Sequence, residues 1–498
     1  MYEHNENQMI LPHEFFLPFG GRLNPDNRWV RMASLIPWNE VEEAYIKTLG
    51  DTKQGSKAYN VRLALGSLII KERLQLSDEE TVEAITENPY LQYFIGLPSF
   101  QETAPFHSSS MTHFRKRFDS SLINQLNESV VSKHRKKDKK DKKKHDDEPP
   151  NGDGLTPDEH DSSSATQSDL PSKKGKLLLD ATCAPADITY PTDIGLLNKA
   201  REKLEKMIDT LYTPLIGKQK KPRTYRVKAR KAYLSLTKQR KPGYQKILKG
   251  IKGQLGYVKR NLKYIEKLVS QVGMDHLNTK QYHDLLVIQE IHRQQSTMYK
   301  KQSHSIEDRI VSISQPHIRP IVRGKATAPV EFGAKLSVSL TDGYAFIDTL
   351  SWDAYNEGIY LKDSIKRYKE RFGTYPEAVL ADTIYRTREN RKLCKELGIR
   401  LSGPKLGRPS TDQQKNTGQK QIERQDHAER NAIEGKFGEG KRKYGLGLIQ
   451  ARLQQTAETM IALQFFIMNI EKILRDSFLP ILQKWIQKIF PVFKFKIA

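Results

Sequence analysis

The chain has 498 residues, with 83 Lys and Arg against 59 Asp and Glu, a formal net charge of +24 and a pI near 9.6. An apolar fraction of 37% is enough to build buried cores over two or three domains, and so large a positive excess favours a polyanionic partner, nucleic acid before a membrane surface. Two distant cysteines, Cys183 and Cys394, exclude a zinc finger and suit a reducing interior; no basic-then-apolar leader opens the chain, and the apolar stretch Met460–Met468 is too short for a bilayer, so a cytoplasmic protein is expected.

From 30 to 130 the pattern reads as short helices joined by polar turns. Ala58–Leu74 carries Val61, Leu63, Leu65, Leu68, Ile69 and Ile70, and Ser77 with Glu80 forms a capping box. Tyr90–Ile95 gives a further helix, and Ser110 is expected to cap a basic one that presents Arg115, Lys116 and Arg117. A helix-turn-helix DNA reader and an ordinary helical subdomain with a solvated basic face both fit this segment. The lysine block 133–144 passes into an acidic and then a Ser/Asp/Gly/Pro tract, so 133–175 is expected to be a disordered charged linker. As a flexible chain of roughly forty residues it would span about 35 Å, and its lysines would hold DNA without reading its sequence.

Strand character begins at Lys176 and ends in Leu177-Leu178-Leu179-Asp180. From Leu196 to about Ser303 the pattern is helical, with Ile251, Leu255, Val258, Leu262 and Ile265 on one stripe. Residues 218–263 hold seventeen Lys or Arg and no Asp or Glu, interleaved with Tyr225, Tyr233, Tyr244 and Tyr257. A one-sign field of that length repels itself unless an anion neutralises it, which favours a track for a DNA backbone. Ala334–Leu340 and Tyr344–Leu350 alternate around Asp342-Gly343 as a hairpin. A helix follows and stops at Gly373, then a strand, Ala378–Ala381, leads into Asp382. A helix from Thr387 to Gly398 and a strand at Ile399–Ser402 imply parallel pairing by a right-handed crossover. A polar loop, 403–420, precedes a helix bearing Glu434, and Met460–Leu474 and Phe478–Phe490 read as two closing helices.

Asp180 and Asp382, each at the tip of an apolar strand, would place two carboxylates at one edge of a sheet, and Glu434 would complete a set of oxygen ligands. Such ligands suit hard divalent ions, Mg²⁺ or Mn²⁺, and two ions about 3.5–4 Å apart would serve an in-line displacement at phosphorus. On a helix, His427, Arg430, Glu434 and Lys441 fall on nearly one face. Arg430 and Glu434 are also spaced as a plain ion pair, worth only ~0.2–0.5 kcal/mol. Gly435, Gly438 and Gly440 are poor helix formers and would let a backbone come close to the site.

These residues resemble the DDE transposases of bacterial insertion sequences, in the branch marked by Tyr-x2-Arg-x3-Glu-x6-Lys. Arg430, Glu434 and Lys441 match that signature, and His427 stands where the family has Tyr. The surroundings of Asp180 and the run Ala381–Arg386 also look like this family, and 30–130 is similar to the helical domain that precedes such cores. The resemblance implies an α/β fold: a ribonuclease-H-like, mixed five-stranded sheet flanked by helices, with a helical insertion after the first strand and a separate all-α N-terminal domain. The implied layout is 1–132 DNA-binding, 133–175 linker, 176–475 catalytic with its insertion at about 196–320, and 476–498 a closing helix and tail. The implied activity is cleavage at terminal inverted repeats and strand transfer into target DNA, by a bacterial, nucleoid-associated protein. Asp180, Asp382 and Glu434 would bind the metal, Arg430, Lys441 and His427 would contact the DNA end, and a homodimer or larger assembly would form on double-stranded DNA, with no membrane involved. A metal nuclease of the same fold without strand transfer, and a domesticated DNA-binding protein with an idle centre, are the competing readings.

Overall fold

The structure, a computed structural model, describes residues 10–18, 20–49, 57–146, 173–322, 330–404 and 413–489, and side chains in these except at 137–146, 413–416 and 478–489. Six short helices come first: α1 (Arg28–Leu35), α2 (Trp38–Thr48), α3 (Val61–Leu74), α4 (Asp78–Glu87), α5 (Pro89–Phe94) and α6 (Ser110–Arg117). The expected capping box starts α4, with Glu80 N–H donating to Ser77 Oγ at 3.1 Å and Ser77 N–H donating to the Glu80 carboxylate at 2.7 Å. Ser110, expected as a cap, is instead the first residue of α6, behind Ser109. α3 is buried on nearly every side, and its Arg62 stays charged there by donating to the Tyr93 and Phe94 carbonyls across α5.

α7 (Ser120–Asp146) overturns the expectation of a linker starting at 133. Lysine propagates a helix well once one is nucleated, and α7 is nucleated on packed residues: Ile123, Leu126, Val130 and Val131 are buried. Arg135 then pairs with Asp342 and lies over the Phe372 ring, holding the helix against the sheet. The rest of the expected linker, 147–172, lies outside the described residues.

The sheet has six strands, one more than expected. They are β1 (Lys176–Pro185), β2 (Arg319–Val322), β3 (Val330–Thr341), β4 (Tyr344–Ser351), β5 (Ala378–Leu380) and β6 (Arg400–Leu401). The order is β2-β3-β1-β5-β6, with β4 also on β3; β1–β3, β2–β3 and β3–β4 are antiparallel, β1–β5 and β5–β6 parallel. The additional strand is β2, four residues without alternation that include Pro320, a residue an edge strand tolerates because its missing N–H faces no ladder. The β3–β4 hairpin turns at Asp342 and Gly343, both at positive φ, 52° and 78°, as a tight two-residue turn requires.

Between β1 and β2 stand α8 (Asp193–Tyr212), α9 (Arg226–Thr237), α10 (Tyr244–Val272) and α11 (Thr279–Lys301), which share an apolar cluster of their own. α12 (Leu361–Phe372) and α13 (Arg388–Glu396) cover one face of the sheet through Leu177, Leu179, Val379 and Ala381. α14 (Gln413–Lys443) begins inside what was expected to be loop, and α15 (Gln454–Ile489) is one helix where two were expected. α15 is buried all round from Met460 to Ile470, which makes it a core helix. It joins the sheet to the N-terminal helices: one apolar cluster runs from Trp29, Leu68 and Phe118 through Phe346 to Phe465 and Ile473. Asn469 fixes the junction. Its Oδ1 accepts from Ala345 N–H at 2.9 Å, and its amide donates to Ala345 O at 2.7 Å and to Asn127 Oδ1 of α7 at 2.9 Å, which closes the outer edge of β4.

β4 carries one unpaired residue opposite the Ser337–Val338 step, Asp348. The bulge turns this side chain into the interior, where Arg371 of α12 donates to it at 3.0 Å, to Ser339 Oγ at 3.1 Å and to Glu128 of α7 at 2.7 Å. Removing one partner of a buried pair strands the other charge. Arg371→Leu should therefore lower unfolding free energy by about 3–5 kcal/mol, and adding Asp348→Leu should return much of that, as read from denaturant midpoints.

Candidate active site

β1 and β5 run parallel, with Leu177 beside Val379 and Leu178 beside Leu380. Asp180, within β1, and Asp382, past the end of β5, each come two residues after the Leu178–Leu380 pair, and neighbouring strands lie about 4.8 Å apart in a sheet. Side-chain alternation distinguishes the two faces of these strands. Leu177, Leu179, Val379 and Ala381 belong to the α12–α13 cluster, whereas Leu178, Ala378 and Leu380 belong to the cluster that includes Ile433 of α14. Asp180 alternates with the second set, and its carboxyl senses Arg430 and Glu434 of α14; Asp382 lies beyond β5, where it caps the short turn Thr383–Tyr385. Neither aspartate is the last residue of its strand, since β5 ends at Leu380, two residues before Asp382. β1 continues to Pro185 because β3 pairs with it throughout, and Asp180, opposite Val338, marks where β5 stops and the sheet opens on one side.

α14 is fastened across this opening by two ion pairs. Lys176 of β1 donates to both Glu429 oxygens at 2.7 Å, and Arg400 of β6 forks onto the buried Asp426. Ile433, fully buried, seals the same side of the helix. Glu434 follows at once, 56% exposed, and its carboxylate lies 3.5 Å from Arg430, itself mostly buried. Among the described residues no three His, Cys, Asp or Glu side chains are gathered closely enough to hold a metal ion together.

Asp180 shows the electrostatic character of the place. Burial pushes its carboxyl up to about 6; the Ala181 N–H and Arg430 oppose that shift, and Glu357 and Glu434 add to it. Arg430 is thus the cation between two carboxylates. Glu357, in a turn before α12, escaped sequence reading, and nothing in Asn356-Glu357-Gly358 marks it; it pairs with Lys335 at 2.8 Å. Tyr385, in the run after Asp382, was also missed; it is fully buried, and burial with Glu357 and Asp180 nearby holds its hydroxyl protonated. Asp382 is exposed and receives the Thr383 N–H at 2.6 Å.

The remaining candidates divide. His427 is exposed on α14, one turn before Arg430, beside Lys420, Glu423 and Arg424. Lys441 and Lys116 line a common cleft of about 710 Å³ between α6, the end of α14 and the start of α15. Arg115 and Arg117, expected to face DNA with Lys116, are internal staples: Arg115 forks onto Asp78 at 2.8 Å, and Arg117 donates to the Tyr45 hydroxyl at 2.7 Å. Of the three glycines expected to face the site, Gly440 packs on Leu446 and Met468, Gly438 lies under the Arg442 guanidinium, and only Gly435 is open.

A family model described as "Transposase DDE domain" matches residues 379–471, and one described as "Transposase domain (DUF772)" matches 18–117. The chain belongs to the transposases that carry a DDE domain. A curated relative, "Uncharacterized protein ORF8 in nfe locus" of Rhizobium meliloti, is 30% identical over 182 residues, 36% of this chain and 73% of the relative. No solved structure matches. The DDE match takes in Asp382, Arg430, Glu434 and Lys441, while Asp180 lies before it, so the first acid rests on strand pairing alone. No described helix is long and apolar enough to cross a membrane.

The raised Asp180 carboxyl has a consequence for stability. Its folded value, about 6, lies above the ordinary 3.8, so the folded protein holds the proton more tightly than the unfolded chain. Ionisation then opposes folding, increasingly from pH 4 to 6 and fully above 6. Without divalent ions, Asp180→Asn should therefore melt higher than the parent at pH 7.5, by about 3 kcal/mol at most, with the difference shrinking toward pH 4. Thermal melts across that range measure it.

Proposed function

We propose that the protein binds the terminal inverted repeats of an insertion sequence, cuts the DNA there and joins the freed 3′ end to a target, with Asp180, Asp382 and Glu434 as the acidic triad of a ribonuclease-H-like centre. The observation that carries this is that Asp180 and Asp382 each follow the Leu178–Leu380 pair by two residues, with the helix bearing Glu434 fastened to β1 and β6.

The donor set fits Mg²⁺ or Mn²⁺: all oxygen, with one carboxylate desolvated enough to gain from a cation. Two such ions, when bound, would activate the attacking water or 3′-hydroxyl and stabilise the departing oxygen. Asp180 and Asp382 would supply ligands from the rigid sheet and Glu434 from the helix. Arg430, now paired with Glu434, would turn to a phosphate once that carboxylate has another partner. Lys441 and Lys116, on one cleft, would hold the DNA end from the catalytic and N-terminal sides, and exposed His427 would meet the strand beyond Arg430. Arg115 and Arg117 would act by holding α6 in place. Bringing two ends together calls for a dimer or larger assembly on DNA, within the cytoplasm and at the nucleoid.

Asp382→Asn should abolish cleavage of inverted-repeat DNA in Mg²⁺ while binding to that DNA changes less than twofold. Retained cleavage removes Asp382 from the centre. Pre-cleaved ends supplied with a target plasmid should yield joined product; cutting without joining leaves a nuclease of the same fold, and binding without either leaves a non-catalytic DNA-binding protein.

A further inference from the structure

The longest helix of the insertion, α10, has two unlike sides. Ile251, Gln254, Leu255, Val258, Asn261, Ile265 and Leu268 are buried. At 100° per residue, Lys249, Lys252, Gly253, Gly256, Lys259 and Lys263 occupy a face opposite that stripe, and all six are exposed. Gly253 and Gly256 are the unexpected members. A mid-helix glycine costs roughly 1 kcal/mol relative to alanine, and a Cβ at either position would meet nothing within 4 Å, so no packing among the described residues accounts for them. They leave a side-chain-free notch between Lys252 and Lys259.

The charge there lacks internal compensation. No Asp or Glu occurs from 218 to 263. Asp209 approaches from α8 but is taken by Lys221 and Arg226, each at 2.7 Å. On the same face of α10, Arg260 stacks its guanidinium on Tyr225 and Tyr257, and its Nη1 is buried with no hydrogen-bond partner. Arg223 lies over the same Tyr225 ring, 4.8 Å from its centroid. Tyr225 holds a left-handed backbone at φ 55°, before an α9 N-terminus that no side chain caps, and borders a cavity of about 950 Å³ with Arg223, Lys228 and Lys231. The exposed lysines and the helix end without a side-chain cap are features that an anion would satisfy.

We infer that the α9–α10 face of the insertion is a second DNA site, apart from the catalytic carboxylates, where the sugar-phosphate backbone of a duplex lies in the Gly253–Gly256 notch between the lysines. The stretch from Lys249 to Lys263 is about 21 Å long, enough to follow a phosphate strand for several nucleotides. Contacts of this kind position a duplex without reading its bases. The proposed function is used here only to name the polyanion as DNA.

The test uses the full-length protein and a 30-base-pair duplex of arbitrary sequence, with fluorescence anisotropy from 50 to 200 mM salt. Lys252→Gln/Lys259→Gln/Lys263→Gln should weaken binding at least tenfold at 100 mM and make the slope of log affinity against log salt shallower by about 2–3, since each lost phosphate contact removes about 0.9. Gly253→Leu/Gly256→Leu leaves every charge in place and raises helix propensity; it should melt no lower than the parent yet bind at least fivefold more weakly. A slope within 0.5 of the parent's together with parental affinity in the leucine variant overturns the inference. A parent that binds duplex in this salt-dependent way but never cuts it overturns the proposed function and leaves this site standing.

Discussion

The short parallel pairing of β1 with β5 is the constraint on which the candidate site depends. Three residue pairs define it, from Lys176 beside Ala378 to Leu178 beside Leu380. Side chains alternate with a period of two, so a slip of one residue would exchange the faces of Val379 and Leu380. Register is held by burial on both faces: Leu177 and Val379 fill one cluster, and Leu178 and Leu380 fill the other. Neither cluster would accept the exchange, because the face opposite the acids is dry and apolar.

Given that register, the position of Glu434 is a matter of fastening one helix. The Lys176–Glu429 pair starts from the same strand that carries Asp180, and the Arg400–Asp426 pair starts from the strand next to β5. The two anchors therefore tie α14 to the strands on either side of β5. What they do not do is bring the three carboxylates into contact. Three bare carboxylates drawn together repel, and Asp180 already feels both Glu434 and Glu357. Without a metal ion, Arg430 supplies the positive charge, and Glu434 rests against it.

Much of this was legible from sequence, and the failures share a cause. Alternation located β3 and β4, apolar runs located β1 and β5, Asp342-Gly343 fixed the hairpin, and apolar periodicity found α10 and α12. Each of these signals is local. The misses required knowing a neighbour. Asp180 reads as a strand end because the apolar run stops there, but β3 carries the strand on to Pro185. Arg115 and Arg117 read as free basic side chains because Asp78 and Tyr45 are far off in sequence. The lysine block after Val131 reads as disorder by composition, yet the buried residues before it start a helix that runs through it.

The arginine and lysine residues divide the work in a way that net charge conceals. Arg62, Arg115 and Arg371 are turned inward, each joined by hydrogen bonds to carbonyls or carboxylates of other elements, and buried Arg201 bonds to Glu205, Asn198 and Glu202 of its own helix. A planar guanidinium with five donors can satisfy such a site, whereas a lysine would leave acceptors empty. The lysines of α10, by contrast, stand in solvent with open glycines between them. Ammonium groups on long stems suit an anion whose position varies, as a phosphate chain of arbitrary sequence does. The net charge of +24 therefore overstates the free surface in the N-terminal helices and understates its concentration on the insertion. It is distribution rather than total that points to where nucleic acid would lie.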